Sequence, residues 1–238
     1  MRPEFVDNQE VSLRDALQQH ILWRVENGRN MNLDIATGYI NPQAFAMLAD
    51  ELEQCERIRI LFGADPLPPS REPQRRVGER EEGRQQRMVE DAMRALREGL
   101  EHDRNLLGFT PEEDSTVRRM LELLHSGRVE VMRFPGRFLH GKAYVFGSET
   151  DRDCYLVGSS NFTAAGLTSN LELNVGNYQP TPVSRVGQWF DELWEDAEAF
   201  DLASIYEARL ELNHPYLVFL RILWEIYGQE LLGDHPEG

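Results

Sequence analysis

Residues 31–62, MNLDIATGYINPQAFAMLADELEQCERIRILF, decide the fold class. Leu33, Ile35, Thr37 and Tyr39 alternate with their neighbours, as one face of a strand requires. Asn41 followed by Pro42 supplies a helix cap and a first-turn proline, after which Phe45, Leu48, Ala49 and Leu52 recur at helical spacing. Ile58, Ile60 and Phe62 alternate again before Gly63. Strand, helix, strand in this order is a βαβ unit, which implies a parallel or mixed sheet covered by helices.

The stretch that follows, ADPLPPSREPQRRVGEREEGRQQR, is rich in proline, glycine and charge and reads as a long loop leading into a helix over 88–107. Arginines 71, 75, 76, 80, 84 and 87 could reach a phosphate backbone. Nine acidic residues balance nine arginines from 71 to 104, so a solvated face is the better reading. A second helix is expected over 111–125, ending at Ser126-Gly127, followed by the strand RVEVMRF with Val129, Val131 and Arg133 on one face.

Next comes FLHGKAYVF, where period-two alternation puts Phe138, His140, Lys142, Tyr144 and Phe146 on one side and Leu139, Gly141, Ala143 and Val145 on the other. GSETDRD reads as a hairpin turn into the strand CYLV. The chain then breaks into the loop GSSNFTAAGLTSN and re-enters a strand at LELNVGNY, with Leu171, Leu173 and Val175 opposed to Glu172 and Asn174. The remainder reads as helical. Trp189, Phe190, Leu193, Trp194, Ala197 and Phe200 form an apolar stripe beside Asp191, Glu192, Glu195 and Asp196, and a last helix is expected over 215–227. The four acids are read as a wet helix face rather than as metal ligands. TAAGLTSN lacks the spacing of a nucleotide-binding loop.

Composition narrows the function. The 238 residues, 41% hydrophobic and 28% charged, suffice for one sizeable core. Cys55 and Cys154 have no metal-ligand spacing, the amino terminus has no apolar signal core, and the most apolar stretch is too short to span a bilayer, so a cytoplasmic, membrane-free protein is expected. The formal charge of −16 opposes indiscriminate adhesion to polyanions. Its distribution is uneven: residues 186–238 carry twelve acids and two arginines, so a polyanion must approach the earlier part.

Of the 25 basic residues, one is lysine, Lys142. A lysine is a compact point charge on a flexible stem, which suits a cramped phosphate site. It lies two positions after His140, and one hairpin later comes Gly158-Ser159-Ser160-Asn161. An imidazole, a point cation, a hydroxyl and an amide donor are what a site needs to hold and attack a phosphodiester.

This pattern resembles the phospholipase D superfamily, whose signature reads HxKx4Dx6GSxN, here His140, Lys142, Gly158, Ser159 and Asn161. The further acid of the family's nuclease branch, eleven residues after the asparagine, falls on Glu172. Gly147 stands at the motif aspartate, and the lysine-to-glycine spacing is four residues longer than the signature. Asp151 and Asp153 are the nearby acids, and neither is expected to take the aspartate's place.

The resemblance implies an α/β fold, a phospholipase D-like mixed sheet flanked by helices, with catalytic domain 1–180 and a helical carboxyl segment 181–238. It implies a metal- and cofactor-free phosphodiesterase in which one histidine attacks phosphorus while a second protonates the leaving oxygen. Lys142 and Asn161 would hold the non-bridging oxygens, Ser159 would support the phosphate pocket, and Glu172 would orient an imidazole. A chain with one lysine cannot carry a second HxK, so the partner histidine is expected from a homodimer through the active-site face. Paired imidazoles resist being charged together, which predicts a bell-shaped rate profile with pH. The substrate is expected to be DNA, with RNA as an alternative. VGSSNFTAAGLTSNLELNV resembles restriction-endonuclease and helicase-associated domains, so a carboxyl-terminal helicase motor is an expected partner. The other readings are a non-catalytic DNA-end-binding or dimerisation module, which Gly147 favours, and phospholipid chemistry.

Overall fold

The structure, a computed structural model, describes residues 2–64, 67, 70–73, 76, 79–108, 110–148, 150–211, 219–220, 222–224 and 226–227. Its strands are β1 (Phe5–Val6), β2 (Asn32–Thr37), β3 (Arg57–Phe62), β4 (Val129–Arg133), β5 (Lys142–Phe146), β6 (Cys154–Gly158), β7 (Asn174–Asn177) and β8 (Glu198–Ala199). The helices are α1 (Leu13–Glu26), α2 (Pro42–Met47), α3 (Ala49–Leu52), α4 (Glu81–Leu106), α5 (Pro111–His125), α6 (Ala164–Thr168), α7 (Pro180–Glu195) and α8 (Leu202–Glu211).

The strands form one mixed sheet in the order β1-β7-β6-β5-β2-β3-β4-β8. The expected βαβ unit stands: β2 and β3 pair in parallel, and Asn41 caps α2 by accepting the Ala44 N–H at 3.1 Å, with Pro42 in the first turn. The intervening helix breaks in two at Leu48, whose φ of −118° is outside the helical range. On one side of the sheet Leu33, Ile35, Ile58, Ile60, Tyr144, Phe146 and Leu156 bury against α1, α2, α3, α5, α6 and α8. Helix α7 covers part of the other side, and the sheet residues there are smaller: Ala36, Leu61 and Ala143 meet Phe190. A third cluster joins Ala64 and Phe138 to Val89, Ala92 and Met93 of α4.

Several expectations are corrected. The strand expected over 138–146 is paired only from Lys142, because its pairing ends at Gly158 on one side and at Ala36 on the other. Its alternation nevertheless persists, since Leu139 and Ala143 pack in the same cluster. Helix α4 begins at Glu81 rather than near residue 88, its exposed first turns carrying an Arg84–Glu81 pair at 3.4 Å. The GSSNFTAAGLTSN loop contains α6, capped by Thr163. Phe200 lies beyond α7 and edge-packs on Phe62. The structure adds helix α1, capped by Ser12, and α8 as a separate helix. The described residues of 219–227 are helical, and the rest of the expected last helix lies outside the described residues.

Asp191 is not on a wet face. Arg59 grips Asp34 with two bonds of 2.6 and 2.7 Å and reaches Asp191 at 2.8 Å. Arg152 also bridges the two acids, at 2.9 Å to Asp34 and 2.6 Å to Asp191. Two paired arginines between two carboxylates form a neutral, bidentate lattice that pins α7 to the sheet. Among the loop arginines, Arg87 pairs with Glu79 at 2.6 Å, in line with the charge balance read there, while Arg75 lies outside the described residues. Among the described residues no helix is long and apolar enough to cross a membrane, and no group of three potential metal ligands clusters.

Candidate active site

One row across the sheet organises the site. Lys142 at the start of β5 lies opposite Gly158 at the end of β6, which lies opposite Asn174 at the start of β7. Antiparallel pairing brings these strand ends together, and β2 ends beside them because Ala36 lies opposite Ala143. His140 precedes the row by two residues, Ser159 and Asn161 follow it, and Glu172 precedes Asn174 by two.

Lys142 is 4% exposed, so its ammonium is held inside the sheet end rather than in bulk water. Its Nζ donates to the His140 carbonyl at 2.8 Å and lies 3.1 Å from His140 Nδ1. An ammonium has no acceptor lone pair, so Nδ1 must accept, and a neutral His140 then carries its proton on Nε2. His140 itself is exposed.

Gly158 permits the loop after β6 to fold back on β7. A Cβ there would fall 2.1 Å from the Leu173 carbonyl oxygen and 2.4 Å from Asn174 Oδ1. The loop is then fixed from beneath by buried groups. Asn174 donates to Ser160 Oγ at 2.7 Å, and the Tyr144 hydroxyl donates to the Ser160 carbonyl at 3.1 Å. Burial pushes the Tyr144 phenol well above its ordinary range, so it stays a donor. Asn161 is held by its oxygen: Oδ1 accepts from the Gly38 N–H at 2.9 Å and from Thr37 Oγ1 at 3.2 Å. Because the backbone N–H can only donate, the amide orientation is fixed and the Asn161 NH2 is the end left to donate elsewhere.

Ser159 donates to Glu172, and its oxygen accepts the Leu173 N–H at 3.1 Å. Glu172 also accepts from Asn170 at 3.3 Å. Within this chain Glu172 therefore bonds to Ser159 and Asn170, and His140 to Lys142. Sequence reasoning missed four residues that shape the site: Thr37, Gly38, Tyr144 and Asn174. Asn174 carried a signal, as an inward-facing amide on a strand whose leucines face out: Leu171 is 81% exposed and Asn174 is 0% exposed.

Gly147 follows the opposite end of β5, about 17 Å of strand from Lys142 at ~3.3 Å per residue. Its φ is +101°, a left-handed conformation that favours glycine. A Cβ would meet the Asp151 carbonyl oxygen at 2.4 Å and Arg24 Nη2 at 2.9 Å. Asp151 and Asp153 serve the hairpin: fully buried Arg24 pairs with them at 2.5 and 2.6 Å. An arginine from α1 therefore occupies the space beside Gly147.

Residues 30–194 match the family model described as the cardiolipin synthase, phospholipase D-like domain. The chain belongs to this family. Membership assigns it to a superfamily whose chemistry is performed on phosphodiester bonds, in agreement with the resemblance of the motif. The fold is likewise the phospholipase D-like mixed sheet flanked by helices. No curated protein sequence matches the chain. Solved structures similar to it include a polyphosphate kinase from Porphyromonas gingivalis, at 11% identity and TM-score 0.48, covering 85% of this chain and 24% of that one. The phospholipase D family member Nuc from Salmonella typhimurium matches at 11% identity and TM-score 0.46, covering 83% of this chain and 96% of that one. NucT from Helicobacter pylori matches at 10% identity and TM-score 0.42, covering 79% and 92%. The chain thus spans about a quarter of the kinase.

Proposed function

We propose that the chain is a metal-independent phosphodiesterase that cleaves DNA through a covalent phosphohistidine, as the amino-terminal domain of a helicase or restriction-type protein. The observation that carries this reading is the bond between the buried Lys142 ammonium and His140 at the sheet end where Ser159 and Asn161 also emerge. A phosphate entering between Lys142 and Asn161 competes with His140 for the ammonium. The non-bridging oxygens take the charge-assisted bonds, and His140 Nδ1 is released from its cationic partner.

Once the phosphate has freed Nδ1 from the ammonium, Nδ1 takes up a proton from water as Nε2 gives its own proton back, and the unprotonated Nε2 forms a bond to phosphorus as the bond to the leaving oxygen breaks. The His140 imidazolium of a second chain gives its proton to that oxygen. Water next attacks phosphorus, loses a proton to the same second imidazole, and the phosphorus–nitrogen bond breaks. These 238 residues bring one HxK pair, so the reading takes its second histidine from another copy. Glu172 holds Ser159 in place in one chain and becomes available to an imidazole across the dimer.

The test is to incubate the purified chain with DNA and EDTA. Cleavage that disappears in His140→Ala supports the enzyme. The absence of cleavage by the unaltered chain overturns the nuclease reading in favour of a DNA-end-binding or dimerisation module. The description of the matching family favours a second reading, hydrolysis or transfer at a phospholipid phosphodiester. Release of headgroup from phosphatidylglycerol vesicles, without cleavage of DNA, would decide for it.

A further inference from the structure

His140 does not stand on a strand. Residues 134–141 leave β4 after Arg133, cross the ends of β3 and β2 and enter β5 at Lys142, and no strand pairs with them. The two ends of this crossing are tied: the Phe134 N–H donates to the Phe62 carbonyl at 2.9 Å, and Lys142 lies opposite Gly158. Between the ties the crossing carries an exposed imidazole, and a reacting group displaced by about 1 Å loses about 10²-fold in rate. Something other than a ladder of hydrogen bonds must hold it.

Packing does so, at the two residues that flank His140. Leu139 is 6% exposed and joins Ala36, Leu61, Phe134 and Phe190 in the cluster beneath α7. It descends onto Gly63, the residue after β3: a Cβ at Gly63 would fall 2.6 Å from Leu139 Cβ, with the Leu139 main-chain N at 3.5 Å and Cα at 3.6 Å. Such a Cβ meets the root of a side chain rather than a mobile tip, so the crossing itself would have to move. On the other flank Trp189 of α7 closes over Gly141, where a Cβ would fall 3.2 Å from Cη2 and 3.3 Å from Cζ2 of the indole. Neither glycine has a positive φ, so what each supplies is room for close approach. Trp189 and Leu139 pack in the same cluster, so 139 and 141 are both seated on the α7 side, and the side chain between them turns the other way, toward Lys142.

We propose that Gly63 and Trp189 are positioning residues for His140: by seating Leu139 and Gly141 they set where the imidazole points. The inference rests on the proposed phosphodiesterase reading and adds to it what keeps the nucleophile aimed. Lys142 holds both the His140 carbonyl and Nδ1 here, but an incoming phosphate takes the ammonium, and the ring then loses that bond. The two seats do not involve the ammonium, so they persist through the exchange.

The test compares the full chain with Gly63→Ala, Gly141→Ala, Trp189→Phe and the double variant Gly141→Ala/Trp189→Phe, all in EDTA. Cleavage at saturating DNA, affinity for inorganic phosphate, and the ring-nitrogen magnetic resonance signals of isotope-labelled histidine are measured, with His140 assigned by its loss in His140→Gln. Gly63→Ala should lower the rate about 10²-fold and Gly141→Ala about tenfold, each with phosphate affinity within about twofold of the parent. Phenylalanine lacks the outer edge of the indole, so the double variant should recover to within about threefold of Trp189→Phe alone, whereas two independent structural losses would add. At a pH where the ring is neutral, parental His140 should carry its proton on Nε2, and both glycine variants should show the Nδ1–H form as well. Parental ring signals in either glycine variant overturn that seat whatever the rate does, as does a parental rate. A loss that the double variant does not recover overturns the Trp189 contact. If the parent itself cleaves no DNA, the phosphodiesterase reading falls, and the ring signals alone decide whether the two seats aim His140.

Discussion

Lys142 Nζ lies 3.1 Å from His140 Nδ1, inside a sheet end where the lysine is 4% exposed. The pair is poised for exchange: the ammonium holds the imidazole until a phosphate takes its place. A guanidinium is too wide and too planar for that position. Lys142→Arg is therefore expected to lower the rate of DNA cleavage by about 10²-fold or more, close to the loss in Lys142→Met. Rates at saturating DNA check this, and near-parental activity in Lys142→Arg would show that any cation suffices.

Restoring the motif aspartate is expected to harm the protein rather than repair it. Gly147 has φ of +101°, and a Cβ there would lie 2.4 Å from the Asp151 carbonyl oxygen. Gly147→Asp should destabilise by roughly 1–3 kcal/mol through backbone strain, without raising cleavage. Urea unfolding and a cleavage assay on the same preparation measure both; a more active, equally stable variant contradicts the structure.

Arg24 is expected to be the costliest single truncation outside the core. It is fully buried, pairs with Asp151 and Asp153, and donates to the Asn30 carbonyl at 2.8 Å. Arg24→Ala strands the Asp153 carboxylate, 16% exposed, which should cost about 3–5 kcal/mol, reduced by the remaining bond from Arg2 at 2.7 Å. Denaturant midpoints provide the measurement, and a loss under about 1 kcal/mol would mean that the hairpin does not depend on this pair.

His20 should make stability fall with acid. Burial pushes its imidazole down to about 4, and it stacks on Phe146 at 4.7 Å between ring centroids. Its ordinary value is near 6.5, so the unfolded chain takes the proton first. The neutral ring's contribution is complete above about pH 6.5 and is lost as pH falls from there toward 4. At ~1.36 kcal/mol per unit, the loss is about 3 kcal/mol. His20→Gln should flatten this part of the stability curve, measured by thermal unfolding from pH 7 to 4, whereas parallel curves would remove His20 as the cause.

The sequence patterns that depend on local periodicity were legible. Asn41-Pro42 marked the start of α2, Pro111 and Ser126-Gly127 bracket α5, and alternation assigned Tyr144 and Ala143 to opposite faces. What local pattern could not show was long-range pairing. Asp191 reads as solvated until Arg59 and Arg152 arrive from distant strands and hairpin. The site divides in the same way. His140, Lys142, Ser159 and Asn161 share a signature, while Thr37, Gly38 and Asn174 hold them only because β2 and β7 end beside Gly158.

The most direct measurement is capture of the intermediate. The chain is mixed with DNA in EDTA, quenched in alkali, where phosphohistidine survives, and digested for mass spectrometry. The account predicts a nucleotide adduct on His140, at no more than one per two chains. An adduct on another residue, full occupancy of every chain, or cleavage that persists in His140→Ala would contradict it.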